Sequence, residues 1–141
     1  MMKSFKKCLK NKQIYEDPGA ISLVEKEIKA ASEDLKEAKD RFENKRYKYA
    51  TITAYYASFH AAKALINSQG FQERNHHCLV HAIEELFVNK KKLPMKYIRN
   101  LLHSVGLRED ADYASEYSAE GAKICLDNAE EFIKTAKKIL K

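Results

Sequence analysis

Proline and glycine are scarce in this sequence, with 2 and 4 residues among 141. A turn-rich all-β fold needs more of both, so the chain is free to build long helices. Long apolar runs are missing too: none reaches the roughly 20 residues that a membrane-spanning helix requires. The opening MMKSFKKCLK is basic and has no apolar stretch of the kind a secretory leader carries. Cysteine is limited to Cys8, Cys78 and Cys125, an odd number without a Cys-x-x-Cys pair. These read as reduced, structural thiols of a cytoplasmic protein with no membrane contact. Internal repeats and low-complexity tracts are absent as well.

Hydrophobic residues make up 45% of the chain and charged residues 33%, as in an ordinary globular domain with one core. The net charge of +6 is unevenly placed. Lys3, Lys6, Lys7, Lys10 and Lys12 form one basic block. Lys90, Lys91, Lys92, Lys96, Arg99 and Arg108 form another, with no acid between Glu85 and Glu109. Glu109, Asp110, Asp112, Glu116 and Glu120 follow as an acidic cluster. Such blocks suit a polyanion or an acidic partner, and equally a set of solvated helix surfaces.

Residues 1–18 are expected to be a basic arm with at most a helical turn, and 19–141 a helical domain. Asp17-Pro18 fits an N-cap with proline at the first helical position, and Ser22-x-x-Glu25 offers a second capping box. Ile21, Val24, Ile28, Ala31, Leu35, Ala38 and Phe42 recur at three- and four-residue steps, predicting one amphipathic helix over 19–43. After a break at Asn44-Lys45 comes a helix over 47–68, apolar nearly all round. Its Ala50, Ala54, Ala57, Ala61 and Ala64 share a stripe that lets neighbours approach closely, and Gly70 closes it. Asn75 is placed to cap a third helix carrying Leu79, Ile83, Leu86 and Phe87. A fourth starts at Leu93-Pro94, turns Met95, Ile98, Leu101, Leu102 and Val105 inward, and ends near Gly106. Residues 107–117 form a loop or a frayed continuation. Ser118 caps the last helix, with Ala122, Cys125, Ala129, Phe132, Ala136 and Ile139 inward. The sum is an all-α, up-and-down bundle of four to five helices.

Four segments in order carry a family resemblance: AYYASFHAAKALINSQGF (54–71), RNHHCLVHAIEELF (74–87), LREDADY (107–113) and EGAKICLDNAEEFIKTAKKIL (120–140). Together they resemble the HEPN domain family, and within it the small stand-alone prokaryotic proteins with an Arg-x-x-Ala-Asp-Tyr segment. The resemblance implies a HEPN-like bundle, often a homodimer, with the seam near the central helix and Arg108–Tyr113. Many members pair an arginine with a histidine four to six residues later and cut RNA without metal or cofactor, as toxins or defence components. Others accompany a minimal nucleotidyltransferase, in toxin–antitoxin pairs or as a nucleotide- or substrate-binding subunit.

The sequence departs from the cutting pattern at one position. Arg108 is followed by Tyr113 where a ribonuclease member has histidine, and Asp112 lies between. A phenol with a pKa near 10 is a poor acid–base group at neutral pH. Arg108, Asp112 and Tyr113 therefore suit phosphate or nucleotide binding, with arginine as the fork and tyrosine as a stacking surface. The bland alternative is an Arg108–Asp112 helix pair beside a packed tyrosine. Arg74 and His81 match the arginine–histidine spacing in the wrong segment and form a second, weaker catalytic candidate. His60 lies on the central helix, where it can face Arg108 or Tyr113, or be a satisfied core residue. His76, His77, Cys78 and His81 invite a metal, but adjacent helical residues point apart and no distant ligand pair completes a site; no metal or cofactor is expected. The expected role is an RNA- or nucleotide-binding module acting with a nucleotidyltransferase, and the alternative a metal-independent endoribonuclease.

Overall fold

The computed structural model describes residues 4–141, so Lys3 of the first basic block lies outside the described residues. Four long helices carry the architecture: α2 (Val24–Glu43), α3 (Tyr47–Ser68), α5 (Lys96–Tyr113) and α6 (Ala119–Ile139). Two short helices, α1 (Phe5–Lys10) and α4 (His76–Ile83), pack at one side. The strands β1 (Ile14–Glu16) and β2 (Phe71–Glu73) pair antiparallel, with Tyr15 opposite Gln72. The expected all-α bundle is what the chain builds, with one short two-stranded ribbon added. No helix among the described residues is long and apolar enough to cross a membrane.

Helix α3 is the spine, packed against α2, α6, α5 and α4. Ala50, Ala54, Ala57, Ala61 and Ala64 are all fully buried, which places them where neighbouring backbones come closest. Its exit matches the sequence reading: Gly70 takes φ +80°, a conformation in which glycine avoids the Cβ clash. Asn75 and Ser118 cap α4 and α6 as expected, accepting from the backbone N–H groups of Cys78 and Gly121.

Several expected boundaries move. Pro18–Leu23 is a 3-10 turn capped by Asp17, and α2 starts only at Val24. Ser22 does not cap it; its hydroxyl donates to the Gly19 carbonyl. Ile21, taken as the first inward residue, is therefore exposed. The third helix ends in a π turn at Glu84–Val88. Helix α5 runs through Gly106 to Tyr113, because Gly106 sits on an open surface where a helical glycine is tolerated. It buries Tyr97, Ile98, Leu101, Ser104 and Val105, which leaves Met95 and Leu102 outside, contrary to expectation.

The N-terminal segment differs most. It folds onto the bundle, with α1 leading into the β1–β2 ribbon and Cys8 bonded to Cys78 of α4. The expectation of reduced thiols is wrong for these two residues. Partners 70 positions apart leave no spacing signature, and the ribbon is what returns α1 to α4. The cysteine argument for a cytoplasmic protein loses its support with that bond. Cys125 stays free and buried, its thiol pushed up to about 11 by desolvation.

Candidate functional site

Because α5 continues to Tyr113, Arg108 and Asp112 stand one turn apart on a regular helix. Their ion pair measures 3.3 Å, from Nη2 to Oδ2. The same Nη2 donates to the Tyr56 hydroxyl of α3 at 3.0 Å. The guanidinium carbon lies 5.4 Å, 5.5 Å and 5.3 Å from the ring centroids of Tyr55, Tyr56 and Tyr113. Each such contact is worth about 0.5–1 kcal/mol at a half-open site. Burial alone would lower the arginine pKa, but Tyr56, Tyr113 and Asp112 together raise it on balance. Nε is buried without a partner among the described residues. The sequence-predicted trio therefore does come together, with Tyr113 itself 74% exposed.

Next to it, α4 contributes a residue that sequence reasoning considered only as a metal ligand. His76, at the first position of α4, shares a hydrogen bond through Nδ1 with the Tyr55 hydroxyl. Its ring lies 4.3 Å from Phe59. Burial, reinforced by Arg108, pulls the imidazole below its ordinary pKa, and burial pushes the Tyr55 phenol up. A protonated phenol facing a neutral ring satisfies both when Tyr55 donates to Nδ1 and the ring proton sits on Nε2. The outcome is an aromatic cage around one guanidinium, made of Tyr56, Phe59, His76 and Tyr113 with Tyr55 buried among them. Its signal in the sequence was Asn75: a capping residue fixes the first turn of α4, and that turn aims His76 at α3.

His60 does not join this group. Its Nδ1 contacts Glu27 Oε1 of α2 at 2.6 Å, and its Nε2 lies 3.6 Å from Asp34. Lys63 reaches the other Glu27 oxygen at 3.4 Å. Glu27 is only 5% exposed, a buried carboxylate beside the apolar stripe of α2. Phe59 lies between the two imidazoles, with its ring 5.7 Å from that of His60. His60 therefore belongs to the α2–α3 seam.

Arg74 and His81 do not converge either. The Arg74 guanidinium stacks 4.5 Å over Tyr15, while His81 lines a hollow with Ser4, Phe5 and Lys6. No hydrogen bond or ion pair joins them among the described residues. Cys78 is consumed in the disulfide, and no group of three metal-ligating side chains forms among the described residues. A hollow of about 590 Å³ between α2 and α6 is lined by Leu35, Asp127, Glu130 and Lys134 among others. Its lining holds no aromatic or imidazole.

Comparison with known proteins agrees with the fold. The family model described as HEPN domain matches residues 24–140. A Methanocaldococcus jannaschii protein named "Putative toxin MJ0605" is 37% identical over 136 residues, covering 96% of this chain and 97% of its own. An Archaeoglobus fulgidus "UPF0332 protein" is 33% identical over 120 residues, covering 81% and 92%. A second M. jannaschii protein, "Putative toxin MJ0142", is 24% identical over 119 residues, 83% of this chain and 81% of its own.

Proposed function

The chain belongs to the HEPN domain family, and on that premise we propose that it is an RNA- or nucleotide-binding module of the small stand-alone prokaryotic subgroup. It works with a minimal nucleotidyltransferase partner, in a toxin–antitoxin or substrate-binding role, and pairs with a second copy near Arg108–Tyr113. One observation carries the ligand class: a guanidinium held among three tyrosines, with a single half-exposed carboxylate as its ion partner. A phosphate offers the fork stronger, charge-assisted hydrogen bonds and displaces Asp112. Tyr113 then offers its open ring face to a base. The word toxin in the names of two relatives supports the toxin–antitoxin setting.

His76 favours a second reading, a metal-independent endoribonuclease. In that chemistry an imidazole takes the proton of the attacking 2′-hydroxyl while arginine stabilises the pentavalent phosphorane. The tautomer argues against it. With Nδ1 engaged by Tyr55 and the proton on Nε2, His76 presents a donor to phosphate and no free base.

The test uses end-labelled single-stranded RNA with wild type and Arg108→Ala. Binding without cleavage, weakened about tenfold or more in the variant, is the expected result, since charge-assisted contacts are worth about 1.5–3 kcal/mol. Cleavage that persists in EDTA and vanishes in His76→Ala would put the endoribonuclease first. Co-purification with a nucleotidyltransferase encoded beside the gene tests the partner.

A further inference from the structure

Helix α1 is amphipathic in a way that leaves only charge outside. Phe5 meets Phe71 edge-on at 5.8 Å, Leu9 packs on the core, and Cys8 is buried in its bond to Cys78. Lys6, Lys7 and Lys10 point outward, and Lys12 is exposed in the turn that follows. The ribbon brings Arg74 to the same segment, its N–H donating to the Gln13 carbonyl and its guanidinium stacked on Tyr15. None of these five cations has a carboxylate within ion-pair distance among the described residues. A mobile lysine tail would lose ordering entropy on binding; this one is already fixed, by a ribbon and by a covalent bond.

We propose that α1 and the ribbon form a second, preformed contact surface for the backbone of single-stranded RNA, fastened to α4 by the Cys8–Cys78 bond. This rests on the RNA-binding reading above and extends it. Charge complementarity argues for RNA: five cations without a carboxylate partner among the described residues share one segment, and the disulfide fixes that segment to α4. The Arg74–Tyr15 stack places an aromatic among the cations, as surfaces that follow single strands do. An anionic membrane is a poor fit, because the apolar side of α1 is already spent on the core and no insertion face remains.

The experiment measures binding of a fluorescein-labelled RNA of about 16 nucleotides by anisotropy, using the full chain, between about 50 and about 200 mM salt. Lys6→Ala/Lys7→Ala/Lys10→Ala changes only exposed side chains, and circular dichroism verifies its fold. Three lost phosphate contacts should flatten the log K against log salt slope by about 2, at about 0.7 per contact for a single strand. Arg108→Ala should flatten it by less than one. Reduction of the wild type should weaken binding several-fold, while Cys8→Ser/Cys78→Ser should ignore reductant. An unchanged slope in the triple variant overturns the proposal, as does a surface that takes an acidic peptide and not RNA. Equal affinity before and after reduction removes the clamp from it. A triple variant that loses slope while Arg108→Ala binds normally would uphold this surface and sink the Arg108 reading. No RNA binding by wild type sinks both.

Discussion

The Tyr55 hydroxyl and His76 Nδ1 share a hydrogen bond across 21 residues of sequence, joining the middle of α3 to the first turn of α4. That bond sets the tautomer of the imidazole and holds one wall of the arginine cage. Tyr55→Phe should leave a half-buried ring nitrogen without its partner and cost about 1–2 kcal/mol of unfolding free energy. Urea denaturation measures it, and a loss below about 0.3 kcal/mol would show that the bond contributes nothing.

The same residue fixes a pH dependence. Burial and Arg108 hold the His76 pKa below its ordinary 6.5, so the unfolded chain takes up that proton first as the medium acidifies. The contribution of His76 is complete above about 6.5 and is lost as pH falls through the lower folded-state value. Asp34 and Glu73, raised chiefly by burial, act with the opposite sign nearer the carboxylate range. Stability profiles of wild type and His76→Gln should run parallel above neutrality and diverge below about 6.5. Parallel curves throughout would contradict the placement.

Glu27 ties α2 to α3 through His60 and Lys63. Glu27→Ala leaves the Lys63 ammonium and the His60 ring without their shared acceptor in a partly buried seam. The cost should be about 2 kcal/mol, below the roughly 3–5 of a fully enclosed pair because both partners see some solvent. Thermal melts at moderate salt check this, with Glu25→Ala on the exposed face as the silent comparison.

Lys45 occupies the left-handed position after α2, at φ +62°. Its N–H donates to the Phe42 carbonyl and that of Arg46 to the Arg41 carbonyl, the pair of bonds that ends a helix in a Schellman turn. Lysine is strained there and glycine is not. Lys45→Gly should therefore stabilise the chain by about 1 kcal/mol, seen as a raised denaturation midpoint. A lowered midpoint would mean that the lysine side chain contributes more than its backbone costs.

The bundle was legible because periodicity survives burial. The alanine stripe of α3 and the caps at Asn75 and Ser118 sit where spacing put them. What escaped has physical causes. Three-residue strands are too short to show alternation, so the ribbon was invisible. Helix stops were read from glycine, yet Gly106 lies mid-helix on open surface while Lys12, Lys45 and Lys91 take the left-handed positions. The Arg108–Asp112–Tyr113 trio was legible through the family resemblance, because its members lie within six residues of one another on one helix. His76 and Glu27 were not, since their partners Tyr55 and His60 come from elsewhere in the chain.

Cys8 and Cys78 close a loop of 70 residues that contains the ribbon and the whole of α2 and α3. By loop-closure entropy the bond should contribute roughly 4 kcal/mol. Melting with and without reductant tests this, and a midpoint that does not fall would mean that the reduced chain keeps α1 docked unaided.

The central claim is that Arg108, caged by tyrosines, is where phosphate is held. Isothermal titration of a short single-stranded RNA into wild type and Arg108→Ala tests it most directly. The account predicts saturable binding by wild type, weakened about tenfold or more in the variant while its circular dichroism spectrum is unchanged. Equal affinity in a folded Arg108→Ala protein would contradict it.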